Sequence, residues 1–320
     1  MKTAFASLLF VTSMLGVAAS TQAQDFPNRP LTLIVPYSAG GSTDATARLV
    51  AEGMSKKIGQ PVIVENKPGA GGGIGALYVK RASNDGYTML VTSSSHIVNK
   101  IMDDAVQYDV QRDFRSVSQL TNLPIVLVVS SKSNLKSVDD LIELAKANPG
   151  KLNYGSAGNG TVQHMSASLF ANMASVEMTH IPYKGGAAAL TDLLGGRLDF
   201  IFSPINEVVG HVESGNLRPL AVTTSERSDV LPDVPTMDET LQGYLLPLWF
   251  GVTVRADVPD DRAAILSQAL QETIRDPEVR KRLIAQGSEP VGSTQQDMAA
   301  LLASEKDRIG KLLTGMSVTR

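Results

Sequence analysis

Leu31-Thr-Leu-Ile-Val35-Pro-Tyr37-Ser38-Ala39-Gly40-Gly41-Ser42-Thr43-Asp44 is the stretch that decides the fold. Leu31–Val35 is a short run rich in β-branched residues between Pro30 and Pro36, and it reads as a strand. Small and polar residues then turn the chain. Beyond them Ala45, Leu49, Val50 and Met54 recur at helical spacing. Gly41 or Ser42 can cap that helix, and Asp44 in its first turn suits the positive end of the helix dipole.

The same rhythm continues outward from this unit. Val62–Val64 reads as a strand, Ile74–Ala82 as a helix, and Asn84-Asp85-Gly86 turns into the strand Thr88–Val91. This alternation implies a parallel sheet covered by helices. A second set follows. Ile125–Val129 is a strong strand, and Ser137-Val138-Asp139-Asp140 opens a helix as a capping box does. Leu152–Tyr154 runs into another Gly-rich turn, Ser156-Ala157-Gly158-Asn159-Gly160-Thr161, and Met165, Leu169, Phe170 and Met173 mark the helix behind it. Phe200–Phe202 and Leu220–Val222 are further strands, and amphipathic helices around 262–273, 276–286 and 295–313 close the chain. The expected class is α/β with two domains. Residues 24–124 and 253–320 form a discontinuous first domain, and residues 125–252 form a second one inserted into it. A ligand cleft is expected between them, where strand C-termini and helix N-termini meet.

Composition narrows the function. Lys+Arg 29 against Asp+Glu 32 leaves a net charge of −3, which argues against nucleic acid as a partner. Cys 0 excludes disulfides, thiolate metal sites and a cysteine nucleophile. Lys2, the apolar run Ala4–Ala19 and the small residues at Thr21 and Ala23 read as a signal peptide over residues 1–23. A membrane span would need about 20 apolar residues, and Ser7, Thr12 and Ser13 dilute this run. No cysteine follows it to carry a lipid. The expected location is the periplasm, with the chain exported, soluble and not lipid-anchored.

Enzyme motifs fail one by one. The chain has no Gly-x-Ser-x-Gly elbow and no phosphate loop with its lysine. His96, His164, His180 and His211 show no metal-ligand spacing, so no metal is expected. Gly71-Gly72-Gly73-Ile74-Gly75-Ala76 imitates a dinucleotide fingerprint, but Glu65–Pro68 separates it from its strand. It reads better as a glycine run needed for close backbone packing, and no cofactor is expected. What remains is three turns of one type, Tyr37–Asp44, Ser93-Ser94-Ser95 and Ser156–Thr161, each between a strand and a helix. Helix-initial N–H groups, glycines that admit close approach, and hydroxyls make such turns ready binders of carboxylate or phosphate.

The residues also resemble a known family. Phe26–Asp44, Val64-Glu-Asn-Lys-Pro-Gly-Ala-Gly-Gly-Gly-Ile-Gly75, Asn84–Leu90, Leu152–Thr161, Ile181–Gly186, Gly196–Phe200, Leu217–Val222 and Leu231–Thr236 together look like the Bug family of periplasmic solute receptors of tripartite tricarboxylate transporters. Lys67 departs from the Arg of many relatives. The resemblance implies a two-domain periplasmic-binding-protein fold, type II-like, with a hinge. It implies a small carboxylic acid as ligand (a di- or tricarboxylate, amino acid or aromatic acid) and delivery to the transporter's membrane subunits. It places Tyr37, Ser38, Ala39, Gly40, Gly41, Ser42, Thr43, Asp44, Ser93, Ser94 and Ser95 on one wall of the cleft. Ser156, Ala157, Gly158, Gly160 and Thr161 would form the other, with Lys184 and Asp199 beside them. Ser203 is a rim donor after the strand Phe200–Phe202, and monomer is the default state. The rival from a different class is an exported serine hydrolase acting on small acids, for which the sequence assigns no Ser–His–carboxylate set.

Overall fold

The computed structural model describes residues 26–313, so the apolar leader at residues 1–23 lies outside the described residues. The chain opens with β1 (Leu31–Val35), α1 (Ser42–Ile58), β2 (Val62–Asn66), α2 (Gly73–Lys80), β3 (Thr88–Ser93), α3 (Ser94–Met102) and β4 (Phe114–Leu123). It continues through β5 (Ile125–Ser130), α4 (Val138–Ala147), β6 (Asn153–Ser156), α5 (Val162–Ala174), β7 (Thr179–Pro182), α6 (Gly186–Leu194), β8 (Phe200–Pro204), α7 (Ile205–Glu213) and β9 (Leu217–Val222). It ends with β10 (Leu248–Arg255), α8 (Asp260–Arg275), α9 (Pro277–Ala285), β11 (Glu289–Pro290) and α10 (Gln295–Leu313).

Two sheets result. One has the order β11-β4-β10-β3-β1-β2, the other β7-β6-β8-β5-β9. β1 pairs in parallel with β2 and β3, and β6 in parallel with β7 and β8. The sheets are nevertheless mixed rather than parallel, which corrects the expectation from strand–helix alternation. β10 runs antiparallel between β3 and β4, and β5 runs antiparallel between β8 and β9. The reason is connectivity: β4 leads through Pro124 alone into β5, so the chain changes sheets without an intervening helix.

Apolar burial explains how each unit holds together. Leu33, Val50, Met89 and Leu266 belong to one cluster between the first sheet and α1 and α8. Val126, Leu193, Ile201 and Val208 form another beside the second sheet. A third joins the two units: Phe170 and Phe200 of the second share a continuous cluster with Trp249 and Phe250 of β10 and with Met298 of α10. Each such fully buried side chain contributes about 1.5–3 kcal/mol.

The glycine run is a packing device, as its spacing from β2 suggests. A Cβ on Gly75 would lie 2.7 Å from Pro36 Cβ and 2.9 Å from Pro36 Cα, so α2 rests directly on the end of β1. Gly75→Ala is expected to lower stability by about 1–3 kcal/mol, because neither backbone can yield without moving the turn behind it. The urea midpoint of the variant against wild type checks this, and an unchanged midpoint contradicts the packing account.

Candidate functional site

The site is built by five helix N-termini. α1, α3, α5, α6 and α7 each start within a few residues of the C-terminal end of a strand. Their caps are Gly41, Ser93, Thr161, Gly185 and Pro204. All five contribute first-turn or cap residues to one cavity of about 380 Å³ between the two sheets. From the first unit come Tyr37, Ser38, Gly41, Ser42, Thr43, Ser93 and Ser95. From the second come Ala157, Gln163, Gly186, Pro204 and Glu207, and Leu248 and Phe250 of β10 close one side. Each helix start presents unsatisfied N–H groups and roughly half a positive charge. α3, α5 and α6 have no acidic residue in their first turn, so nothing of their own neutralises that charge there.

The two walls touch. The Ser38 amide and hydroxyl both donate to the Lys184 carbonyl, at 3.3 and 3.1 Å. Ser42 Oγ donates to Asn206 Oδ1, and the Val162 amide donates to Ser95 Oγ at 3.0 Å. Tyr37 is buried, and its hydroxyl donates to the Gly71 carbonyl at 3.3 Å. Burial raises the pKa of that hydroxyl, although Ser95 and Ser93 work against the shift.

The structure gives other residues singled out from the sequence different duties. Ala39 is exposed, and Gly40 faces an outer groove rather than the cavity. Asp44 secures its own turn: Oδ2 accepts from the Gly40 amide at 3.0 Å and from Arg48 at 2.9 Å, and Oδ1 accepts from Asn66 at 2.9 Å. Burial alone would raise its carboxyl, but these donors hold it below the ordinary value. Ser94 is buried off the cavity. Thr161 caps α5, accepting from the His164 amide at 3.4 Å and donating to the Gly158 carbonyl at 2.7 Å. Gly158 and Gly160 have positive φ and shape that turn. Lys184 enters through its carbonyl, while its side chain is exposed. Asp199 accepts from the Asn153 amide at 2.7 Å, which ties β6 to the start of β8. Ser203 Oγ donates to Glu207 Oε2 at 2.6 Å.

Gln163, Gly186, Pro204 and Glu207 were not expected as site residues, nor were Leu248 and Phe250. An acid in the first turn after Phe200–Phe202 was the available signal for Glu207. Its carboxyl is pushed up to about 7 by burial, against the Ser203 hydroxyl and the Ser42 amide.

One Ser–His contact bears on hydrolysis. Ser156 Oγ lies 2.7 Å from His180 Nε2. The serine is buried off the cavity and its oxygen also accepts from the Gly158 amide at 3.1 Å. The His180 ring stacks on His164 at 4.0 Å and on Tyr154 at 4.9 Å. Burial, then the neighbouring His164, hold it down at about 3. No carboxylate among the described residues orients that ring. A base so depressed, beside a serine no substrate reaches, is a packing contact.

Two α/β units with helix starts converging on a cavity between them define the periplasmic-binding-protein fold, the architecture of a solute receptor. The family model described as tripartite tricarboxylate transporter family receptor matches residues 46–318, and the chain belongs to that family. It is 36% identical over 296 residues to protein BugT of Bordetella pertussis, covering 92% of this chain and 91% of that one. The structure of the periplasmic binding protein BugD superposes with a TM-score of 0.89 at 30% identity, covering 92% of this chain and 99% of that one. MatC of Rhodopseudomonas palustris, solved with bound malate, gives 0.87 at 30% identity, covering 90% of this chain and all 100% of that one. The family is one of solute receptors, which favours binding over the hydrolase alternative.

Proposed function

We propose that this receptor captures a small carboxylic acid in the cavity between its two sheets and delivers it to the membrane subunits of a tripartite tricarboxylate transporter. It acts in the periplasm after removal of residues 1–23, as a monomer and without a cofactor. The observation that carries the reading is the convergence of five helix N-termini on one cavity of about 380 Å³. Its lining of small and hydroxyl-bearing residues around those helix starts suits a small organic acid. Tyr37, Ser38, Gly41, Ser42, Thr43, Ser93, Ser95 and Ala157 are the proposed contacts, and Asp44, Gly158, Gly160 and Thr161 hold the turns that present them. Hydrogen bonds to a charged group are worth about 1.5–3 kcal/mol each, so a handful, less association costs, reaches the roughly 8 kcal/mol of a micromolar complex.

The proposed units are 24–124 with 253–320, and 125–252, moving about the Leu123–Ile125 crossing and the return into β10. Ligand favours closure only through contacts made in the closed state alone. Wall-to-wall bonds such as Ser38 to Lys184 favour closure with or without ligand, so the ligand's share comes from its own contacts to both walls at once. The malate bound by MatC is of the expected chemical class. The test is thermal shift and calorimetry against mono-, di- and tricarboxylates. One subset of acids should give a saturable calorimetric titration and stabilise the chain by about 2.7 kcal/mol at a hundredfold excess over Kd. Indifference to the whole panel would sink the reading.

A further inference from the structure

Glu207 is the one carboxylate among the residues lining the cavity. It stands in the first turn of α7, and its position is tight from both units. A Cβ on Gly186 would lie 2.4 Å from Oε2, and one on Gly41 would lie 3.3 Å from Oε1. The carboxyl is therefore wedged between the first residue of α6 and the cap of α1, where a bound anion would otherwise be expected. Its two oxygens are treated differently. Oε2 accepts from Ser203 Oγ at 2.6 Å. Oε1 is closed to solvent and has no hydrogen-bond partner among the described residues; the Ser42 amide favours the ionised carboxyl but makes no hydrogen bond of ordinary geometry to it.

A buried acceptor without a donor is costly and uncommon, and at a ligand cavity the guest can supply the missing donor. The surrounding helix starts already offer N–H groups for a carboxylate. What they cannot satisfy is a second negative group beside Glu207, which would face like-charge repulsion in a dry cavity. An ammonium group answers both demands: it brings three N–H donors and cancels the charge.

We propose that Glu207 selects for an ammonium group on the ligand, so that the acid bound is an amino acid, its carboxylate on the helix starts and its ammonium on Glu207 Oε1. This rests on the reading of the cavity as a carboxylate site. Gly41, Ser42, Gly186 and Ser203, which pack against the carboxyl, carry no ionisable side chain. His211, further along α7, shares only the outer groove with Glu207. The protonation state of Glu207 is therefore set by burial and by the guest.

Matched pairs test this on the full chain: glutamate against glutarate, leucine against 4-methylpentanoate, phenylalanine against 3-phenylpropionate. In at least one pair the amino member should bind wild type at least tenfold more tightly. Glu207→Gln should shrink that advantage about tenfold. A second measurement needs no variant. Calorimetry at pH 7 in PIPES and in Tris should show proton release on binding the amino acid, because an ammonium partner favours the ionised carboxyl. Proton uptake, equal or better binding of the deaminated acids, or an unchanged ratio in Glu207→Gln would each overturn the assignment while the carboxylate reading stands. If no member of any pair binds wild type while another acid of the carboxylate panel does, this assignment falls alone; if nothing in either set binds, the carboxylate reading falls and takes this one with it.

Discussion

Gly71→Ala should weaken ligand binding about 100-fold while leaving the chain folded. Gly71 has a φ of +60°, and a Cβ there would lie 2.2 Å from the Asn159 carbonyl oxygen. That oxygen belongs to the Ser156–Thr161 turn, in the second unit, whereas Gly71 precedes α2 in the first. Neither atom is the end of a flexible side chain, so the clash is relieved by holding the walls apart. An overlap of this kind costs about 1–3 kcal/mol in a packed interior, and each 1.4 kcal/mol is about tenfold in affinity. Open protein avoids the clash and bears only the left-handed backbone cost of about 1–2 kcal/mol. Gly150→Ala separates the two effects: φ is +70° there, with nothing within 4 Å of the added Cβ. The control should lose similar stability and keep its affinity. Calorimetry with whichever acid stabilises wild type reads the difference, and X-ray scattering should show Gly71→Ala failing to contract on ligand addition. Unchanged affinity would mean that the Gly71–Asn159 approach is not a feature of the liganded state.

The positions that carry this argument were legible in the sequence to different depths. The turns at Tyr37–Asp44, Ser93–Ser95 and Ser156–Thr161 stood out because strand, small residues and helix follow one another within a few positions, a local pattern. Their meeting at one cavity is not local; it depends on the crossing at Pro124 and on β10 returning to the first sheet. β4 passed unnoticed because Phe114-Arg115-Ser116-Val117-Ser118-Gln119-Leu120-Thr121-Asn122-Leu123 mixes polar residues into a strand that is mostly buried. Its Ser118 hydroxyl donates to the Ser293 carbonyl at 2.7 Å, and its Gln119 amide donates to Ser293 Oγ at 2.9 Å. Those partners lie far along the chain, so no window of sequence shows them. Glu207 was missed for a related reason: an acid at a helix start is ordinarily a dipole partner facing water. Only the closeness of Gly41 and Gly186 turns it into a wall of the cavity.

Acidification should destabilise the chain by about 4 kcal/mol between pH 6.5 and 4.5, a large part of the 5–15 kcal/mol typical of a folded domain. His96 and His164 are buried, and burial holds both at about 4. His180, held at about 3, is partly exposed and is counted as about half a proton. The unfolded chain protonates these histidines near 6.5. Below that pH it binds protons the folded chain refuses. The stability they contribute is complete above 6.5 and drains away toward 4. Glu207 acts in the opposite sense. Its folded value of about 7 exceeds the ordinary 4.5, so the folded chain holds a proton that the unfolded chain releases, and stability returns as pH falls through that interval. About two and a half protons taken up by the unfolded histidines, less one held by folded Glu207, leave roughly one and a half. At about 1.4 kcal/mol per proton per pH unit, the slope is about 2 kcal/mol per unit. Asp44 is held below its usual range and becomes relevant only under more acidic conditions. Urea unfolding at pH 6.5 and 4.5 measures the slope. Glu207→Gln removes the opposing contribution and should steepen it to about 3–4 kcal/mol per unit. A flat wild-type profile would show that these rings take up protons inside the folded protein, and a shallower one in the variant would show that folded Glu207 holds no extra proton.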